Sequence, residues 1–470
     1  ASLYQSKRAE AKANLEKALA LAAAGRASPR ERHLIEGLYN AVFKSSFPGE
    51  AVHQYQQVLS ISPDDEEGLR HLGSLYRNLE EWSKARDCWE RLLALDKFNP
   101  FLYINLSTIY LAEGLPEKAV DILPEDPALL SPALRRRHLG LIALCQGRYE
   151  EALAAVNQAL ELEPGQSIAF LLRGNIRQLQ GDAAAAREDY LRIVRGADTA
   201  AQALGLRFLA GLCLQEGRVD EFRSRVAQGI DLSRRAAMQD EEDSFLLMEA
   251  AGFQLKDDPA AAEGSVRRAV HLAEELNDVN VRAEGLGLLG RILLAQGDAA
   301  GAAETAERLR LLTETSGLRH LRKHYFRLKG AIARQAGDYA SAADLGRMAV
   351  AGLPFPYSLN DDHAVYYESL ALTAEAAGEV DRAIGIRQDI RVLTSGRLLF
   401  GDLYARNYYR LGKLFLRKNL RTEAADAFET FLRLWARADS GRPEIADALQ
   451  MLAALKIPRP RPASKTAPAP

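Results

Sequence analysis

Cysteine is nearly missing from this chain. Three residues in 470, Cys88, Cys145 and Cys213, stand far apart with no CxxC or Cys/His spacing. That excludes a disulfide framework and a zinc site and predicts buried thiols on apolar helical faces. No apolar run approaches the roughly eighteen residues that span a bilayer, and the opening ASLYQSKRAEAK lacks a hydrophobic signal region. Aromatics make up 7% and β-branched residues rarely cluster, which disfavours a sheet protein. A net charge of -2 leaves no excess to attract nucleic acid or a membrane surface.

Catalytic signatures are equally scarce. There is no Walker A loop and no GxSxG elbow. GLGLLG (285–290) satisfies G-x-G-x-x-G literally, but it continues a helical pattern where a dinucleotide site needs a strand and a tight turn. His320 and His324 stand at i, i+4, as metal ligands do. Arg319, Arg322, Lys323 and Arg327 surround them, no carboxylate accompanies them, and a solvated basic face or an anion contact is expected instead. Asp361-Asp362-His363 reads as the acidic start of the helix through Tyr366 and Tyr367 rather than a triad. The carboxylate pairs Glu241-Glu242 and Glu274-Glu275 fall in or beside solvated helices. Neither an enzyme nor any cofactor or metal is predicted.

What the chain has is alanine, leucine and repetition. LGLIALCQGRYEEALAAVNQALELEP (139–164) aligns with RGNIRQLQGDAAAAREDYLRIV (173–194) and LGSLYRNLEEWSKARDCWERLL (72–93). It aligns again with LGRILLAQGDAAGAAETAERLRLL (289–312), KGAIARQAGDYASAADLGRMAVAGLP (329–354) and LGKLFLRKNLRTEAADAFETFLRL (411–434). Small residues recur where two helices cross closely, a Gly or Asn ends the first helix, and proline often stops the second. The turn falls at Ser46, Glu80, Gly114, Gly147, Gly181, Gly217, Asp257, Gly297, Gly337, Gly378 and Asn419. The spacing is 33–36 residues at first and 40–41 afterwards, so longer helices or longer connections must absorb about six residues per late unit.

This skeleton resembles the tetratricopeptide repeat, a helix-turn-helix unit. The resemblance implies an all-α, right-handed superhelical solenoid of about eleven units with a C-terminal capping helix. It divides the chain into a partial N-terminal repeat (1–31), a segment of ordinary period (32–198), a segment of about 40-residue period (199–441), a capping helix (442–456) and a disordered proline-rich tail (457–470). The stub of first helix before Ala11 and Ala18 suggests a chain that begins inside a repeat, as part of a larger protein or complex.

In such arrays the first helices line a concave groove that holds an extended peptide, at positions two, five, six, nine, twelve and thirteen of each unit. Carried onto this sequence, the groove consists of Asn40 and Lys44, then Arg70, His71, Arg77 and Asn78, then Asn105 and Thr108, then Arg137 and His138, then Asn175 and Gln178. Asparagine can clamp a peptide backbone and arginine can fork onto a carboxylate, so a protein or peptide partner is expected, acidic or C-terminal in character. A second basic surface runs through 319–329 and 404–418. SPRERHLIEGLYNAVF (28–43) and AADAFETFLRLWARADSGRPEIADALQMLAAL (424–455) resemble the ends of arrays in bacterial kinases and transcription regulators, without any kinase motif. That resemblance implies a bacterial sensor or docking region. A periplasmic scaffold of a secretion or polysaccharide-export machine is the alternative, which leaves cytoplasm and periplasm both open.

Overall fold

The structure, a computed structural model, describes residues 2–44, 48–353, 363–393 and 396–455. Expectations at Ser46, at Asp361 and Asp362, and along the 457–470 tail lie outside these residues.

The described residues are helical throughout. A leading helix, α1 (Ser2–Ala23), precedes eleven helix pairs. The first five are α2 (Pro29–Phe43) with α3 (Pro48–Ile61), α4 (Glu66–Asn78) with α5 (Trp82–Leu95), α6 (Pro100–Ala112) with α7 (Pro116–Asp121), α8 (Pro132–Cys145) with α9 (Tyr149–Leu162), and α10 (Ser167–Gln180) with α11 (Ala183–Val194). Next come α12 (Thr199–Gln215) with α13 (Val219–Ala236), α14 (Gln239–Gln254) with α15 (Pro259–Leu276), and α16 (Val279–Ala295) with α17 (Ala299–Ser316). After a 3-10 turn (Arg319–Leu321), α18 (Arg322–Gln335) pairs with α19 (Tyr339–Ala351) and α20 (His363–Ala376) with α21 (Val380–Val392). A short α22 (Gly396–Leu399) leads to α23 (Gly401–Arg417), its mate α24 (Arg421–Leu434) and a closing α25 (Pro443–Leu455). This is the expected all-α helix-turn-helix solenoid.

Local chemistry accounts for the punctuation. All ten described turn positions, from Glu80 to Asn419, have φ between 55° and 90°, the left-handed region that ends a helix. Where the turn reads Gly-Asp, the second residue caps the next helix. Asp182, Asp298 and Asp338 each accept a hydrogen bond from the backbone N–H three residues on. Close crossings explain the small residues. A Cβ added at Gly174 would lie 2.6 Å from the Tyr190 ring, and one at Gly140 would lie 2.6 Å from Val156. GLGLLG lies inside α16, where Gly290 packs under Leu328. Helix α7 is cut to six residues because Pro124 and Pro127 follow it at once.

The longer units reach their length in two ways. From α12 to α17 the helices themselves grow to 16–18 residues, against 13–15 in α2 to α5. From α18 to α21 they return to 13 or 14, and the added residues go into connections instead.

The array also folds back on itself, joining units about six apart at two seams. At the first, Asn277 Nδ2 donates to the Phe43 carbonyl (3.2 Å), and Leu79 packs against the cores on both sides. At the second, Leu398 and Leu399 enter the core of α8 to α12 rather than that of their own unit. The Asp439 N–H donates to Gly217 O (3.2 Å), and its carboxylate accepts from the N–H of Asp220 (3.0 Å), capping α13 from the far end of the chain. Arg442 Nη1 donates to Leu255 O at the end of α14 (2.9 Å).

Candidate interaction surface

The expected groove residues separate into three groups. Asn175 and Gln178 are buried because the hydroxyl of buried Tyr190 needs partners; Asn175 Oδ1 and Gln178 Oε1 each lie 2.8 Å from it. Gln178 Nε2 donates to Gln215 Oε1 (2.9 Å) and to the Leu398 carbonyl (3.3 Å), so the second seam covers this end of the groove. His138 is also buried, and desolvation beside Arg137 pushes its pKa down to about 4. Asn40 is buried because the close crossing of the first unit is at Gly37, under the Tyr55 ring. These four side chains cannot meet a partner from within the core.

A second group is exposed or partly exposed but occupied. Lys44 pairs with Glu50 (3.0 Å), Thr108 Oγ1 donates to Ile104 O of its own helix (2.9 Å), and His71 stacks on Tyr55 at 5.1 Å. Burial lowers the His71 pKa, so the ring is neutral.

The third group forms an open polar row. Arg70 and Asn78 are exposed, although Asn78 borders a cavity of about 240 Å³ at the first seam, with Leu79, Asp240 and Asn277. Arg77 Nη1 reaches Asn105 Oδ1 (3.4 Å), and Arg137 Nη1 reaches Gln166 Oε1 (3.3 Å). These bonds run between side chains of neighbouring units.

The two basic stretches behave differently. In 404–418, Arg406 pairs with Glu444 (2.5 Å), Arg410 with Glu375 (3.3 Å), Lys413 with Asp447 (3.5 Å) and Lys418 with Asp381 (2.9 Å), so four of the five basic residues of that stretch are paired within the fold. In the 319–329 stretch Arg319 and Arg322 are exposed, as a solvated face requires, but the two histidines are not part of that face. His324 is buried with Nδ1 3.0 Å from the Tyr366 hydroxyl. His320 sits in the 3-10 turn and bonds Asn280 Oδ1 (2.9 Å), so the two histidines do not share a helix face. Burial first, then neighbouring cations, pushes both imidazoles to their neutral forms. Among the described residues, no group of three or more His, Cys, Asp or Glu could hold a metal ion, and no helix is long and apolar enough to cross a membrane.

Residues 138–203 match the family model of the tetratricopeptide repeat. That stretch carries the tetratricopeptide repeat. Stacked repeats of this kind present extended concave surfaces. A BBSome complex member, BBS4, from Bos taurus is 30% identical over 139 residues. Those residues are 28% of this chain and 25% of that relative, so the chain matches a quarter of the relative's length. Solved structures that align with this chain include yeast Tom70, at 12% identity and a TM-score of 0.38 over 91% of this chain and 95% of the other. A tetratricopeptide repeat protein from Parabacteroides merdae gives 16% identity and a TM-score of 0.37 over 66% and 98%.

The positional rule that picked the first-half groove also applies to the longer units. It yields Arg291 on α16 and His324, Arg327 and Arg334 on α18. Sequence reading passed over Arg291 and Arg334, although counting one and four residues on from the small residues Gly290 and Gly330 finds both.

Proposed function

We propose that this chain is a scaffold that holds an extended segment of a partner protein along the face lined by its first helices. The observation that carries the reading is the polar row between the two seams. Arg77, Asn105 and Arg137 sit on successive first helices and bond across units, where the core requires none of them. An arriving peptide backbone can replace such side-chain bonds with its own N–H and C=O groups at little net cost. The test is the triple variant Arg77→Ala, Asn105→Ala, Arg137→Ala in affinity capture from the native cell, with thermal unfolding to verify the fold. Loss of a partner that the unaltered chain retains is expected. Unchanged recovery by a folded triple variant refutes the assignment.

A further inference from the structure

Each unit is a hairpin of two helices. The turns inside units therefore lie along one edge of the array, and the connections between units along the other. Both seams join these opposite edges. At the first, Leu276 and Leu318, beside the connections that follow α15 and α17, are buried and line one cavity with Leu79 from the turn after α4. At the second, Leu398 of α22 presses on Gly211 near the end of α12, and Trp435 and Ala438, just after α24, close over the Gly217 turn. Late connections thus bury apolar side chains against the turns of earlier units.

Elsewhere the same two edges stand open. At the early connections Ile61, Leu95, Phe98, Phe101, Leu162 and Ile168 are all exposed, and Phe98 and Phe101 keep 64% and 68% of their surface in water. Large apolar side chains gathered on one edge mark a contact surface, where single scattered ones do not. The connection that carries the two phenylalanines is held in place. The Phe98 N–H donates to Asp96 Oδ1 (3.0 Å), the Phe101 N–H to Asn99 Oδ1 (3.1 Å) and the Tyr103 hydroxyl to Lys97 O (2.8 Å). Little ordering is left for an arriving partner to impose.

On the opposite edge the late turns are bare. A Cβ added at Gly297, Gly337 or Gly378 would meet nothing within 4 Å, whereas one at Gly217 would meet Trp435. Tyr339 and Leu420 add exposed apolar surface beside the Gly337 and Asn419 turns.

We infer that a second copy of this chain covers these edges. The late turns of one copy seat on the early connections of the next, repeating between molecules the contact that the seams make within one. The two surfaces differ, so the contact is heterologous and copies add head to tail without closing on a dimer. The first-helix groove residues take no part in it.

The test is sedimentation velocity on the full chain over about a hundredfold range of concentration. The unaltered chain should grow past the dimer as concentration rises. Phe98→Asp with Phe101→Asp removes one surface, and Tyr339→Asp with Leu420→Asp removes the other. All four side chains are exposed and stand in a connection or at a helix start, where aspartate is tolerated. Each double variant should weaken association at least about tenfold. Leu449→Gln, at an exposed leucine on α25, should leave it within about twofold. Mixed together, the two double variants keep one intact surface each and should form a one-to-one dimer that grows no further. A chain that stays monomeric to about 0.2 mM, an unaltered chain that stops at a dimer, an equal loss in Leu449→Gln, or a mixture that gives no dimer would each overturn the inference. Thermal unfolding verifies the fold of the variants. Should one unfold, the size reached by the unaltered chain decides, because head-to-tail growth does not stop at two.

Discussion

Gly211→Ala should open the second seam. Gly211 lies inside α12, a helix buried on nearly every side. An added Cβ would overlap the Leu398 carbonyl oxygen and lie 3.0 Å from Leu399 Cα, where ordinary contact begins near 3.4 Å. Both obstacles are backbone, so no rotamer change relieves them, and α22 must retreat. Retreat exposes Leu398, fully buried in the unaltered chain, at a cost of about 1.5–3 kcal/mol. It also lengthens the Gln178–Leu398 bond, at about 1 kcal/mol. Alanine returns about 1 kcal/mol of helix propensity. The net expectation is destabilisation by roughly 1.5–3 kcal/mol, with a larger radius of gyration by small-angle scattering. Gly264→Ala and Gly385→Ala are the matched controls. Both lie in helices with nothing within 4 Å of an added Cβ, and each should stabilise by about 0.5–1 kcal/mol. If Gly211→Ala behaves like these controls in urea unfolding and scattering, the seam argument is wrong.

Two further substitutions probe buried charge. Asp243 on α14 is fully buried, with neither carboxylate oxygen hydrogen-bonded; burial, then Asp278 and Asp240, pushes its pKa up to about 8 despite the adjacent Ser244. The folded chain thus keeps a proton that the unfolded chain releases near pH 4. Stability from this group is full below that pH and is lost as the pH rises to about 8. Asp243→Asn should flatten that decline, and a melting-temperature profile from pH 5 to pH 8 with the original slope would contradict it. Arg387 is fully buried between Glu368 and Glu375 and bonds Asn407 (3.0 Å). Arg387→Ala should cost about 3–5 kcal/mol in chemical unfolding because two carboxylates lose their buried counter-charge. Arg382→Ala, from an exposed pair with Glu379, should cost less than about 1 kcal/mol, and similar losses for the two would refute the argument.

The exposure of the expected groove residues was only half legible in the sequence. Positional transfer put Arg77, Asn105 and Arg137 outside the core, where the structure has them, because their surroundings come from adjacent units of similar length. It failed at Asn175 and Gln178 because Tyr190 and Leu398 claim their polar atoms, and Leu398 lies 220 residues beyond Gln178. Asn40 was misplaced by a register set at Gly37, where two extra residues separate the crossing glycine from its aromatic partner. The hydrogen bond that buried His324 makes depends on Tyr366, which no local pattern announces.

By itself the sequence determined the helices, their pairing and the turns between them. Left-handed residues, aspartate caps and small crossing residues act within one unit or between neighbours, at short chain separation. It also determined the lengthening of the later units, though not whether helix or connection would absorb the residues. Only the tertiary structure decided that the array closes on itself. Contacts such as Gly211 with Leu398 and Asp439 with Gly217 depend on small rotations summed over six units, which no single repeat encodes. That closure decides which first-helix side chains stay open to solvent and which serve the fold.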